Sequence, residues 1–182
     1  MAQRPEWVDH LIGWHVYPLG FVGAPMHLES QEVSHRLGHL EVWLDHVVAL
    51  GCSGLVLGPV FSSASHGYDT LNYFTIDPRL GDDADFDHLL QAAHDRGLSV
   101  LVDGVFNHVS SRNHIAQDAQ NAGPDSEAGR MVRWRDGQLD VFEGHGGLIT
   151  LNHDNPAVRE LITQVMNYWC DRGVDGLSLI HI

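Results

Sequence analysis

One pattern, met three times along the chain, constrains the fold more than any other feature: an amphipathic helix, a glycine that stops it, then a short apolar strand. The spacing predicts a first helix over 34–50, with Leu37, Leu40, Leu44, Val47 and Val48 on one face, stopped by Gly51 and followed by Leu55-Val56-Leu57. A second helix is predicted over 85–96, with Phe86, Leu89, Leu90 and Ala93 at i, i+3, i+4, i+7. Gly97 stops it and Val100-Leu101-Val102 follows. The third opens on Asn155 as N-cap with Pro156 in the first helical position. It carries Val158, Leu161, Ile162, Val165, Met166 and Trp169 before Gly173, and a strand is expected from Val174. An earlier strand, Trp14 to Tyr17, precedes the first helix. Helices alternating with buried apolar strands make parallel βα units.

Counted from Gly13, Gly54, Leu98 and Val174, the units are 41, 44 and 76 residues long. The excess in the third falls in a stretch rich in Gly, Asp, Asn and His, which reads as a small inserted subdomain. Two architectures fit parallel units, an open doubly wound sheet and a (β/α)8 barrel. No Gly-x-Gly-x-x-Gly follows a strand, so a dinucleotide-binding sheet has little support. In both, functional residues gather at the C-terminal ends of the strands.

Composition narrows the partners. Against 24 Asp and Glu stand 10 Lys and Arg, a formal net charge of −14. That balance disfavours nucleic acid, which needs a basic face, and an anionic membrane surface. No apolar signal core lies in residues 1–9, so a cytoplasmic setting is expected. Cys52 and Cys170 stand in apolar surroundings without metal-like spacing and are expected to be buried free thiols.

After the predicted strands come His66-Gly67-Tyr68-Asp69 and Asp103-Gly104-Val105-Phe106-Asn107-His108. The latter resembles a sequence block of the α-amylase family of glycoside hydrolases. Trp14 to Phe21 and Gly54 to Val60 resemble that family's first and second strand blocks, and His66 to Gly81 the loop around its first sugar site. Leu151-Asn152 resembles the block closing its inserted subdomain, and Gly173 to Gly176 the approach to its fourth strand. The resemblance implies an α/β chain forming the N-terminal half of a (β/α)8 TIM barrel, with a small subdomain inserted after the third strand. Residues 1–106 would hold the first three units and 107–152 the insertion. Residues 153–176 would hold the third helix and the start of the fourth strand, and 177–182 a non-native tail.

A pyranose ring calls for an aromatic platform and hydrogen-bonding side chains around it. The resemblance assigns Tyr68 as platform, His66, Asp69 and His108 to sugar contacts, and Asp103 to organising the site. Asn107 matches a position that binds calcium in some members. A calcium ion takes six to eight oxygens, and the acidic residues of the insertion (Asp118, Asp125, Glu127, Asp136, Asp140, Glu143) lack loop-site spacing and read as a solvated face. No cofactor is expected. Retaining hydrolysis needs a nucleophilic carboxylate and an acid/base carboxyl about 5–5.5 Å apart. The resemblance places the nucleophile where this chain has Ile180 and the acid/base beyond residue 182, so no catalytic carboxylate is expected here. The implied function is that of a fragment of a retaining glycoside hydrolase or transglycosidase acting on α-glucans or maltooligosaccharides. The alternative is a non-catalytic relative serving as a scaffold or binding protein. A barrel metallohydrolase is disfavoured, since no His-x-His occurs.

Overall fold

The computed structural model describes residues 5–179. A parallel sheet joins β1 (Gly13–Val16), β2 (Gly54–Leu57), β5 (Ser99–Asp103) and β10 (Gly176–Ser178), in that spatial order. Between them lie α1 (Pro18–Phe21), α2 (Gly38–Glu41), α3 (Leu44–Ala49), the antiparallel pair β3 (Phe61–Ser63) and β4 (Thr70–Ile76), and α4 (Asp83–His94). After β5 come β6 (His108–Ser110), α5 (His114–Ala122), β7 (Trp134–Arg135), β8 (Gln138–Leu139), β9 (Leu148–Thr150) and α6 (Pro156–Asp171).

Each parallel strand joins the same edge as its predecessor, with Gly13 opposite Gly54, Gly54 opposite Ser99, and Gly176 opposite Leu101. A doubly wound sheet reverses its strand order at a switch point; this sheet never reverses, as in a barrel. Gly51, Gly97 and Gly173 take φ of +81°, +73° and +111°, which lets each helix end turn back into a strand.

The stretch over 107–152 makes its own antiparallel pairs but shares the core: Val109, Ile115, Ala119, Ile149 and Leu151 join the same buried cluster as the parallel strands. Antiparallel β6 and β9 pair His108 with Thr150, and β7 and β8 form a hairpin. The Asp136-Gly137 turn of that hairpin has φ of 52° and 76°, the type I′ geometry that Asp-Gly favours. Asp118, Asp125, Glu127, Asp136 and Glu143 are exposed, and Asp140 is half-buried beside Arg135 at 3.1 Å.

Two expectations about the helices change. The first is not continuous over 34–50. The N–H groups of Ser34, Arg36 and Leu37 donate to the carbonyls of Pro78 and Leu80, so that backbone cannot enter a helix. Leu37, Leu40, Leu44 and Val47 are fully buried as the spacing predicts, but Val48 faces solvent. The second helix starts earlier, because Asp82 and Asp85 form a reciprocal capping box. The third opens as read: Asn155 accepts the Ala157 N–H at 2.9 Å, with Pro156 at the first helical position.

The thiols also differ. Cys52 is half-buried and Cys170 exposed. Cys170 follows Trp169 on α6, and one residue is about a quarter turn of helix, so its apolar neighbours in sequence face the core while it does not. Trp169 is fully buried, stacked on Phe61 at 4.9 Å, edge-on to Phe86, and donates its indole N–H to the Tyr73 carbonyl at 2.8 Å. It pins α6 to the β3–β4 pair and to α4. Leu177 and Ser178 lie in β10, opposite Val102 and Asp103, and the Ser178 carbonyl accepts the Gly104 N–H at 2.8 Å. Ile180 lies outside the described residues.

Candidate functional site

The loop carrying His66, Tyr68 and Asp69 leaves β3 and returns into β4 above the strand ends, and its backbone is gripped at almost every residue. Asp69 accepts the Ser65 N–H at 3.0 Å and the Ser65 hydroxyl at 2.6 Å. Arg79 donates Nη1 to the Ser65 carbonyl at 2.6 Å. The Tyr17 hydroxyl donates to the His66 carbonyl at 2.9 Å. His108 Nε2 lies 2.9 Å from the Tyr68 carbonyl; a carbonyl only accepts, so this nitrogen carries a proton. Gly67 sits at φ +94° and a Cβ there would come within 3.0 Å of Pro59, so the loop needs glycine at that point.

Arg79 and Asp77 anchor the loop from below. They form a buried ion pair at 2.7 Å, with Asp77 wholly buried. Asp77 also accepts the N–H and hydroxyl of Ser63 at 3.0 and 2.9 Å. Arg79 Nη1 reaches the carbonyls of Pro25 and Met26 at 3.1 and 2.8 Å, so one guanidinium joins two loops to β4.

Asp103 ends β5 and is buried. Its charge acts on Tyr68: burial first, then Asp103, then Tyr17 raise the phenol above its ordinary value. His108 is buried at the start of β6 and stacks on Phe142, with centroids 4.8 Å apart and planes 23° from parallel. His66 accepts the Tyr68 N–H through Nδ1 at 3.2 Å.

A cavity of about 430 Å³ opens here. His66 and Tyr68 of the loop between β3 and β4 line it, together with His108, Phe142, Glu143, His145 and Leu148 from the stretch 107–152. The structure therefore brings His66, Tyr68 and His108 to one cavity. Asp103 stands behind it in electrostatic reach of Tyr68. Asp69 spends both carboxylate oxygens on Ser65. Two larger or comparable clefts, one beside β4 and α4 and one beside Arg130 and Asp154, take in none of these residues.

Asn107 is engaged through its backbone: its carbonyl accepts the Leu151 N–H at 3.0 Å, and its amide lies 3.4 Å from His108 Nδ1. Among the described residues, the His, Cys, Asp and Glu grouping close enough to share an ion is His35, Asp82 and Asp85, at the α4 cap. Asn107 takes no part in it, and that grouping already serves as a helix cap.

The spacing of the sequence did not single out Tyr17, Arg79, Phe142, Glu143 or His145. The Asp-x-Arg at 77–79 offered a signal, since a cation two residues from a carboxylate inside an apolar run has to be satisfied internally. The insertion wall offered only a Phe-Glu-Gly-His turn.

The family model for the α-amylase catalytic domain matches residues 40–180. The chain is 31% identical to the intracellular maltogenic amylase of Bacillus subtilis, over 97% of the chain and 34% of that protein. It is 30% identical to the trehalose-6-phosphate hydrolase of Escherichia coli, over 98% of the chain and 36% of that protein. The cyclic α-maltosyl-(1→6)-maltose hydrolase of Arthrobacter globiformis, solved in complex with maltose, superposes with a TM-score of 0.83 at 28% identity, over 97% of the chain and 46% of that structure. The chain thus spans about a third of the length of the curated relatives it matches. Among the described residues, no helix is long and apolar enough to cross a membrane.

Proposed function

The chain belongs to the α-amylase family, and we propose that it is the sugar-holding part of an enzyme that cleaves or transfers α-glucosidic bonds with retention. The carrying observation is the cavity where His66, Tyr68 and His108 meet above the strand ends. Tyr68 is the platform for the apolar face of a glucose ring, and His66 and the His108–Phe142 stack complete the wall. Asp69 and Asp103 act behind them, Asp69 by fixing Ser65 and Asp103 by its charge at Tyr68. The substrate class is an α-glucan or maltooligosaccharide, in line with the maltose-bound relative. Neither nucleic acid nor membrane is proposed as a partner. A cytoplasmic setting follows the intracellular relative.

In this reading the 182-residue chain binds sugar without turning it over, because Ile180 at the nucleophile position offers neither charge nor lone pair. No calcium requirement is proposed for Asn107. The test is titration of maltotriose by ligand-detected NMR, with an assay for new reducing ends alongside. Saturable binding that weakens about tenfold in Tyr68→Ala, without cleavage, is the expected result. Unchanged affinity in Tyr68→Ala would remove the site, and measurable cleavage would remove the assignment of Ile180. Binding by a chain that also lacks activity would equally suit a scaffold role; the wider relationship to hydrolases favours the enzyme.

A further inference from the structure

Within the cavity just described, one residue combines a backbone penalty with a charge. Glu143 has φ 49° and ψ 30°, and Gly144 after it has φ 82°. The His145 N–H donates to the Phe142 carbonyl at 2.9 Å, closing a two-residue turn of the primed type over Glu143-Gly144. Such turns favour Asn, Asp or Gly at the first position. The Asp136-Gly137 turn in the same subdomain obeys that preference; Glu143 departs from it. A residue held in a sparsely populated conformation at a cavity points to a role for its side chain. The residue is exposed and lines the same cavity as Tyr68.

The charge of the wall is the second observation. No Lys or Arg is among the described residues lining the cavity, and Glu143 is its one carboxylate. Phosphate recognition calls for Arg or Lys donors. Neutral sugar hydroxyls instead suit a carboxylate, whose two oxygens accept two neighbouring O–H donors. The net charge of −14 adds to the repulsion of an anion.

We infer that Glu143 is a specificity-determining residue that makes this cavity accept neutral glucose units and reject phosphorylated ones. The inference rests on the sugar-site reading above and separates two substrate classes that the relatives' names leave side by side. Glu143 accepts hydroxyl protons from the ring stacked on Tyr68; a phosphate on the same ring would meet its charge with no cation in the wall to offset it.

The test compares maltose with maltose 6′-phosphate on the 182-residue chain at pH 8. The wild type is expected to prefer maltose at least about tenfold. Glu143→Gln should weaken maltose several-fold and bring the ratio close to one. Glu143→Lys should reverse it. Glu143→Asn should also lose the preference while raising Tm, because Asn tolerates the left-handed backbone; a merely structural Glu143 would leave the ratio alone in every variant. An unchanged ratio in the Gln and Lys variants would overturn the inference. Tyr68→Ala run in parallel keeps the two readings apart: maltose affinity lost there but not in the Glu143 variants overturns the inference only. Maltose affinity retained in Tyr68→Ala, or absent from the wild type, overturns the site reading and this inference with it.

Discussion

The two walls of the cavity are built in opposite ways. The strand-end wall, Ser65 to Asp69, is tied by Arg79, Asp69, Tyr17 and His108 to three other parts of the chain. The insertion wall, Phe142 to Leu148, rests on a short turn, the stack of Phe142 on His108, the Ser111 N–H on the Gly147 carbonyl and the pairing of Leu148 with Ser110, and most of it is exposed. One wall is fixed by half-buried hydrogen bonds from distant parts of the chain. The other presents side chains from a surface turn, where substitution is cheap. A cavity built this way keeps one side constant while the other can vary.

The strongest way to break the contrast is to cut the anchor of the rigid wall. Arg79→Met leaves Asp77 as a wholly buried, unpaired carboxylate, and removing one partner of such a pair costs about 3–5 kcal/mol. Arg135→Ala, which removes an exposed pair with Asp140 in the insertion, should change stability by less than about 1 kcal/mol. Urea unfolding of both variants checks this. Equal losses would show that the two walls are equally tied.

A smaller cut tests whether the loop is held bond by bond. Tyr17→Phe removes the hydroxyl that donates to the His66 carbonyl and little else. One neutral hydrogen bond is worth about 1 kcal/mol net. The loss should appear in the same unfolding experiment, together with faster amide exchange at 66–69. A loss of 3 kcal/mol or more would mean that Tyr17 carries the loop rather than assisting it. On the other wall, Phe142→Ala should cost less in stability than Tyr17→Phe does in loop protection, since Phe142 is only half-buried.

The same asymmetry governed what could be read from the sequence. The parallel units were legible because Leu37, Leu40, Leu44 and Val47, and then Phe86, Leu89, Leu90 and Ala93, follow helical period, and burial imposes that period. Tyr68 and His108 were legible through their family blocks. Arg79 was legible only through its nearness to Asp77, because its other partners come from residues 25, 26, 63 and 65, which only the folded chain assembles. Val48 and Cys170 misled because apolar neighbours in sequence say nothing about which side of a helix faces out. Glu143 was hidden among other acidic residues; it shares a left-handed backbone with Asp136, and only the residue type, less suited to that backbone, sets it apart.

The smallest expected effect concerns the support behind the rigid wall. The segment 34–37 lies along Pro78 and Leu80, next to the Asp77–Arg79 anchor, and is latched to α4 by His35 Nδ1 at 2.7 Å from Asp85. The hydrogen bond to Asp85, then its charge, raise the His35 imidazole above its ordinary 6.5. A group whose folded value is raised contributes stability fully below the unfolded value and loses it as pH rises through the folded one. Asp82 is the mirror case: its bond from the Asp85 backbone lowers it below 3.8, so its contribution is present above that value and fades as pH falls through the folded one. Both groups contribute fully only between the ordinary carboxylate and imidazole values. His35 is fully exposed, so the effect is slight and screened by salt. Melts at low salt should show a small fall in Tm from pH 6 toward pH 9, and His35→Asn should flatten that limb; because the His35 charge also helps to lower Asp82, the acid limb should weaken slightly as well. If the variant keeps the alkaline slope, the latch does not support the wall, and the rigid side owes its geometry to the Asp77–Arg79 pair and the bonds from Tyr17 and His108.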